Sequence, residues 1–82
     1  MATKIAMKNR IKTVMESKEH LTTGEIWDIV HGFKNLDDLS FKTVKYGLTM
    51  TELGKLLSKY YNKAEYDVVN RQHKWTRRNQ ND

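Results

Sequence analysis

Thr51, Lys55, Ser58 and Asn62 stand three or four residues apart, the spacing that stacks side chains along one face of a helix. Two hydroxyls, an ammonium and a carboxamide on one face, with Lys59 beside them, can hydrogen-bond to phosphate oxygens or to the edges of bases. A second set lies downstream, at Arg71, Gln72, Lys74, Arg77 and Arg78. Between Arg71 and Arg78 there are four positive charges and no acid. Such a run is suited to contacting phosphate.

Other chemistries find less support. His20, His31 and His73 fall in three separate stretches, with neither H-x-x-x-H nor His–carboxylate spacing, so no metal site is expected. There is no cysteine. No serine sits in a nucleophile elbow, and no glycine-rich loop is present to cradle a phosphate. Asp37 and Asp38 read as a helix-start charge pair, because no histidine, lysine or metal ligand stands beside them. The chain is therefore read as a non-enzyme without a cofactor.

Eighty-two residues make a single domain, 1–82, near the lower limit for a core without covalent staples. Lys and Arg number 15 against 10 Asp and Glu, a net charge of +5 that favours a polyanionic partner. The charge is uneven: residues 1–20 carry +3, 48–63 carry +2 and 64–82 carry +1, while 21–47 come to −1. The opening residues are charged without an apolar run behind them, so neither a signal peptide nor a membrane span is expected. The missing cysteines fit a reducing intracellular setting, whether cytoplasm, nucleoid or nucleus.

The elements that must position these residues follow from capping and periodicity. Met7, Ile11, Val14 and Met15 recur as one apolar stripe, so a first helix is expected from about Lys4, with a soft end at Ser17 to His20. Thr22 and Glu25 have capping-box spacing, with Leu21 and Ile26 as a hydrophobic staple, which starts a second helix over about Thr23 to His31. Its stripe is Ile26, Ile29, Val30 and Phe33, with Trp27 on the flank and Gly32 as the breaker. Thr49 with Glu52, and Leu48 with Leu53, repeat that start for a third helix. Leu53, Leu56, Leu57 and Tyr60 are its buried stripe, opposite the Thr51 face. Between the second and third helices, Asp37 to Gly47 is expected to form one or two helical turns, a short strand being the alternative. Ala64 to Val69 alternates as a strand, Asn70-Arg71-Gln72 is the turn, and a second strand carries Trp75 inward. Residues 79–82 are a frayed polar tail.

Three helices followed by a hairpin make an α+β, mostly α chain that resembles the winged helix-turn-helix superfamily from about Lys4 to Arg78. Leu21-Thr22-Thr23-Gly24-Glu25-Ile26-Trp27 match its second helix, Thr51-Glu52-Leu53-Gly54-Lys55-Leu56-Leu57 its third, and Lys74-Trp75-Thr76-Arg77 the outer strand of its wing. The resemblance implies binding of double-stranded DNA, probed by the third helix in the major groove and by the wing along the backbone or minor groove. A regulator of transcription is the implied role, and pairing of two copies stays open. On this reading Trp75 and Tyr60 or Tyr61 pack the core and hairpin rather than stack on bases. The interval from Phe33 to Leu48 is longer than a tight helix-turn-helix needs. That leaves Ser40 to Tyr46, with Ser40, Lys42 and Lys45, as an alternative reading segment. The other function considered is a protein-docking module, with the Lys55 face meeting an acidic partner and the Trp27 flank an apolar one.

Overall fold

Both capping boxes form as the spacing demands. Thr22 Oγ1 accepts the Glu25 amide at 3.3 Å while Glu25 Oε1 accepts the Thr22 amide at 3.2 Å. Thr49 Oγ1 accepts the Glu52 amide at 3.1 Å, and Glu52 Oε1 returns the contact to the Thr49 amide at 3.2 Å. Each box satisfies amides that the first turn of a helix leaves without partners. These starts belong to a computed structural model that describes residues 4–37, 39–44 and 47–77.

The described elements run, in order, α1 (Lys4–Ser17), β1 (Leu21–Thr22), α2 (Thr23–Val30), α3 (Met50–Tyr60), β2 (Asn62–Asp67) and β3 (Gln72–Thr76). Helices α2 and α3 pack against one antiparallel sheet of order β1-β3-β2, and α1 packs on α2. Strand β1 meets β3 through Leu21 opposite Trp75 and Thr22 opposite Lys74. The β2–β3 hairpin pairs Asn62 with Thr76 and Asp67 with Gln72, and its register shifts between Lys63 and Tyr66. None of the described helices is long and apolar enough to cross a membrane.

One core joins the layers. Met7, Ile11, Val14 and Met15 of α1 bury the stripe read from their spacing, against Ile26, Ile29 and Val30 of α2 and Leu53 and Leu57 of α3. Leu21, Leu48 and Trp75 close it. Trp75 is tied to the start of α2 by its indole N–H, which donates to Thr23 Oγ1 at 2.9 Å. Between α1 and β1 the chain turns at His20, which takes φ 63°, and its amide donates to the Trp75 carbonyl at 2.8 Å.

Several expectations need correction. Phe33 is exposed rather than core, because α2 stops at Val30 and Gly32 turns the chain at φ 83°. A Cβ at Gly32 would also stand 2.7 Å from the Thr43 backbone, so glycine is required there twice over. Tyr60 is 45% exposed and Leu56 only partly buried, so the core stripe of α3 narrows to Leu53 and Leu57.

The described residues from 33 to 44 form no helix. They are irregular, with a single Leu36–Leu39 bridge and Asp37 at φ 51°. Long-range bonds hold this segment instead. Arg10 Nη1 donates to the carbonyls of Val30 at 2.8 Å and Lys42 at 3.1 Å, and the Val44 amide donates to the His31 carbonyl at 3.0 Å. Asp38, Lys45 and Tyr46, named in the sequence reading, lie outside the described residues.

The hairpin turn also moves. Strand β2 ends at Asp67, and Val68 and Val69 are 76% and 90% exposed in the turn rather than in a strand. Asp67 imposes this. Its Oδ1 accepts the Val69 and Asn70 amides at 3.0 and 3.2 Å, and its Oδ2 accepts the Asn70 side-chain amide at 2.8 Å. Those bonds curl the chain directly after Asp67, as aspartate commonly does in turns. Arg71 closes the turn at φ 55°.

Candidate nucleic-acid interface

Burial of Leu53 and Leu57 turns the opposite face of α3 outward, and Thr51, Lys55, Ser58 and Lys59 are all exposed there. The β2–β3 hairpin stands beside that face. Between them runs an open groove with Met50, Thr51, Gly54, Lys55, Ser58 and Lys59 on the helix side and Lys63, Arg71 and His73 on the hairpin side. Gln72, Trp75 and Thr23 line its hairpin-and-α2 end. Among the described residues the lining includes four cations, Lys55, Lys59, Lys63 and Arg71, and no carboxylate.

Aromatic rings steady some of these charges. The Lys59 Nζ lies 5.3 Å from the centroid of the Tyr60 ring, and the Lys63 Nζ lies 6.0 Å from that of Trp75. Arg71 is placed by the Asp67-centred turn. That turn holds the Asp67 carboxyl below the ordinary carboxylate range. The Asn70 side chain is the leading cause, the Asn70 and Val69 amides follow, and the Lys74 charge adds to them. On the groove side of the hairpin Tyr66 and His73 meet edge to face at 4.9 Å. His73 Nδ1 is buried without a hydrogen-bond partner among the described residues.

The sequence-derived residues divide. Thr51, Lys55, Ser58, Lys59 and Arg71 come together in the groove. Asn62 does not belong to α3, which ends at Tyr60; Tyr61 is extended and Asn62 opens β2 opposite Thr76. Gln72 lines the groove, but its side-chain oxygen accepts the Gly24 amide at 2.8 Å, so it anchors the hairpin to α2. Lys74 alternates with His73 and Trp75 along β3 and so points to the other face, near Asp67.

Arg77 turns back toward α1. Its Nε donates to the Met15 carbonyl at 2.9 Å and lies 3.1 Å from a Glu19 carboxylate oxygen. Arg78 lies outside the described residues. In the alternative reading segment, Ser40 and Lys42 are exposed on irregular backbone that presents no helix to a groove.

Two contributors escaped the sequence reading, Lys63 and His73. The signal for Lys63 was its spacing from Lys59, four residues on, but it reaches the groove from a strand and not from the helix. His73 would have been found by counting inward positions back from Trp75 along β3.

No protein-family model, curated protein or solved structure matches this chain.

Proposed function

We propose that this chain is a winged-helix protein that binds duplex DNA, with α3 entering the major groove and the hairpin serving as a wing along the phosphate backbone. The observation that carries the reading is the groove between them, with four cations on its two walls and no acid among the described residues that line it. A polyanion is the ligand such a lining favours. The element order α1-β1-α2-α3-β2-β3, with β3 between β1 and β2, supports the winged-helix assignment. On this reading the chain acts inside the cell by occupying DNA, as a regulator of transcription rather than as an enzyme. Thr51 and Ser58 would face base edges, and Lys55, Lys59, Lys63 and Arg71 the phosphates.

Titration against random duplex DNA at two salt concentrations tests the reading. Four phosphate contacts would give a log–log salt slope near −3.6, at about 0.9 per contact. A flat dependence, or no binding at low salt, would refute it.

A second reading, a protein-docking module, draws on a different place. Ile11, Met15, Leu56, Tyr60 and Tyr61 form an apolar cleft between α1 and α3, rimmed by Lys8, Asn9, Lys12, Glu16 and Arg77. A partner seated there would bind with shallow salt dependence.

A further inference from the structure

Gly54 sits in the interior of α3, where glycine weakens a helix relative to alanine. Elsewhere in the chain the structure supplies a reason for glycine. A Cβ at Gly47 would stand 2.4 Å from His31 Nε2, and one at Gly32 would meet the Thr43 backbone. Outside its immediate neighbours and the adjoining helix backbone, no described atom lies within 4 Å of the place a Cβ at Gly54 would take. Neither packing nor a positive φ calls for glycine there. The space that a side chain would fill is part of the groove itself.

Position 54 also has a definite bearing. At 3.6 residues per turn it lies about 60° round the helix from Thr51, on the flank between the exposed face and the buried stripe. That flank looks toward the hairpin, and Lys63 and Arg71 stand across the groove from it. An absent side chain between two cationic walls suits something thin, continuous and anionic that comes close to helix backbone.

We infer that Gly54 is the point of closest approach for one sugar–phosphate strand of a bound duplex, threaded between α3 and the hairpin. This rests on the DNA-binding reading and adds to it which part of the nucleic acid occupies the groove. The strand touches the bare α-carbon with its sugars while the cations on either side hold its phosphates. A side chain at position 54 would push the strand away without removing any charge. Its effect should therefore be the same on every sequence and should leave the salt slope alone.

The experiment uses Gly54→Ala and Gly54→Leu in the full chain, with thermal unfolding and titration of random duplex at two salt concentrations. The alanine variant should melt at or above the parent temperature, since its methyl enters open space. Its affinity for random duplex should fall several-fold, that of the leucine variant at least tenfold, both with the parent's salt slope. Parent-like affinity in both variants would overturn the inference while leaving DNA binding by the parent intact. Loss confined to one preferred sequence would also overturn it, because the contact would then be to bases. A lower melting temperature for Gly54→Ala would remove the premise of open space. If the parent itself fails to bind duplex, the functional reading falls and the inference with it.

Discussion

His31 Nε2 accepts the Leu48 amide at 3.0 Å, across 17 residues of chain. Its Nδ1 lies 2.7 Å from the Trp27 carbonyl, and the Trp27 indole N–H donates to the Leu48 carbonyl at 2.9 Å. A carbonyl can only accept and an amide can only donate, so the ring is the neutral tautomer with its proton on Nδ1. Both backbone groups of Leu48 are thus clasped by the end of α2, just before the Thr49 cap that starts α3. The described residues between the two helices are irregular, yet the start of α3 is held by side chains at the end of α2.

Breaking that clasp should loosen the fold as a whole. His31→Ala leaves the Leu48 amide without its partner and removes a ring stacked on Trp27 at 4.2 Å. A loss of about 2–4 kcal/mol is expected in urea denaturation. Gly47→Ala should also destabilise, by about 1–3 kcal/mol, because its methyl would collide with the same ring. Parent-like midpoints for both variants would show that the clasp contributes nothing.

Core and cap should differ in scale. Leu53 and Leu57 are fully buried, so either change to alanine should cost about 2–5 kcal/mol, a large share of the stability of a domain this size. Thr49→Ala removes one cap bond and should cost about 1 kcal/mol. Thermal melts of the three variants check the ranking.

Binding should separate cations that reach the groove from one that does not. Lys55→Ala, Lys63→Ala and Arg71→Ala should each take about 0.9 off the salt slope for any duplex. Arg77→Ala should leave the slope unchanged, since its guanidinium lies against Met15 of α1 and Glu19 just beyond that helix. Thr51→Ala, which removes no charge, should weaken binding only on a preferred sequence, by about 1–3 kcal/mol. An effect of Arg77→Ala equal to that of Arg71→Ala would contradict the assignment of the groove.

Acid should act on the hairpin turn through Asp67. Its folded-state pKa lies below the ordinary value of 3.8, so its contribution to stability is present above that value and is lost as the pH falls through the folded-state pKa. Carboxyl chemical shifts should therefore show Asp67 titrating below 3.8, with amide protection at Val69 and Asn70 fading over the same range. A midpoint at or above 3.8 would mean that the turn bonds do not persist in solution.

Features governed by neighbours in sequence were legible before the structure, and features governed by distant partners were not. Thr22 with Glu25 and Thr49 with Glu52 satisfy each other within one turn, so their spacing alone located two helix starts. The α3 face of Thr51, Lys55 and Ser58 followed from the leucines behind it. The irregular path of the described residues among 33–44 depends on Arg10 and His31, far away in the chain. Val68 and Val69 have strand-forming side chains, but the bonds of Asp67 outweigh that preference. Asn62 continues the helical spacing, yet pairing with Thr76 claims it for the sheet. Arg77 looked like its neighbours in the basic run until a carbonyl 62 residues away took its guanidinium.

The register shift in β2 has a consequence for how copies of the chain meet. With the order β1-β3-β2, the sheet ends in two open edges, and an open edge invites another strand to pair with it. Strand β1 offers only two residues, Leu21 and Thr22, too few to seed a ladder. Strand β2 is longer, but the irregularity between Lys63 and Tyr66 interrupts its row of donors and acceptors, and Lys63 and Glu65 place charges along it. A second molecule sliding along that edge would find no straight stretch to zip onto. The kink that helps shape a hairpin thus also guards the crowded protein against aggregating through its sheets.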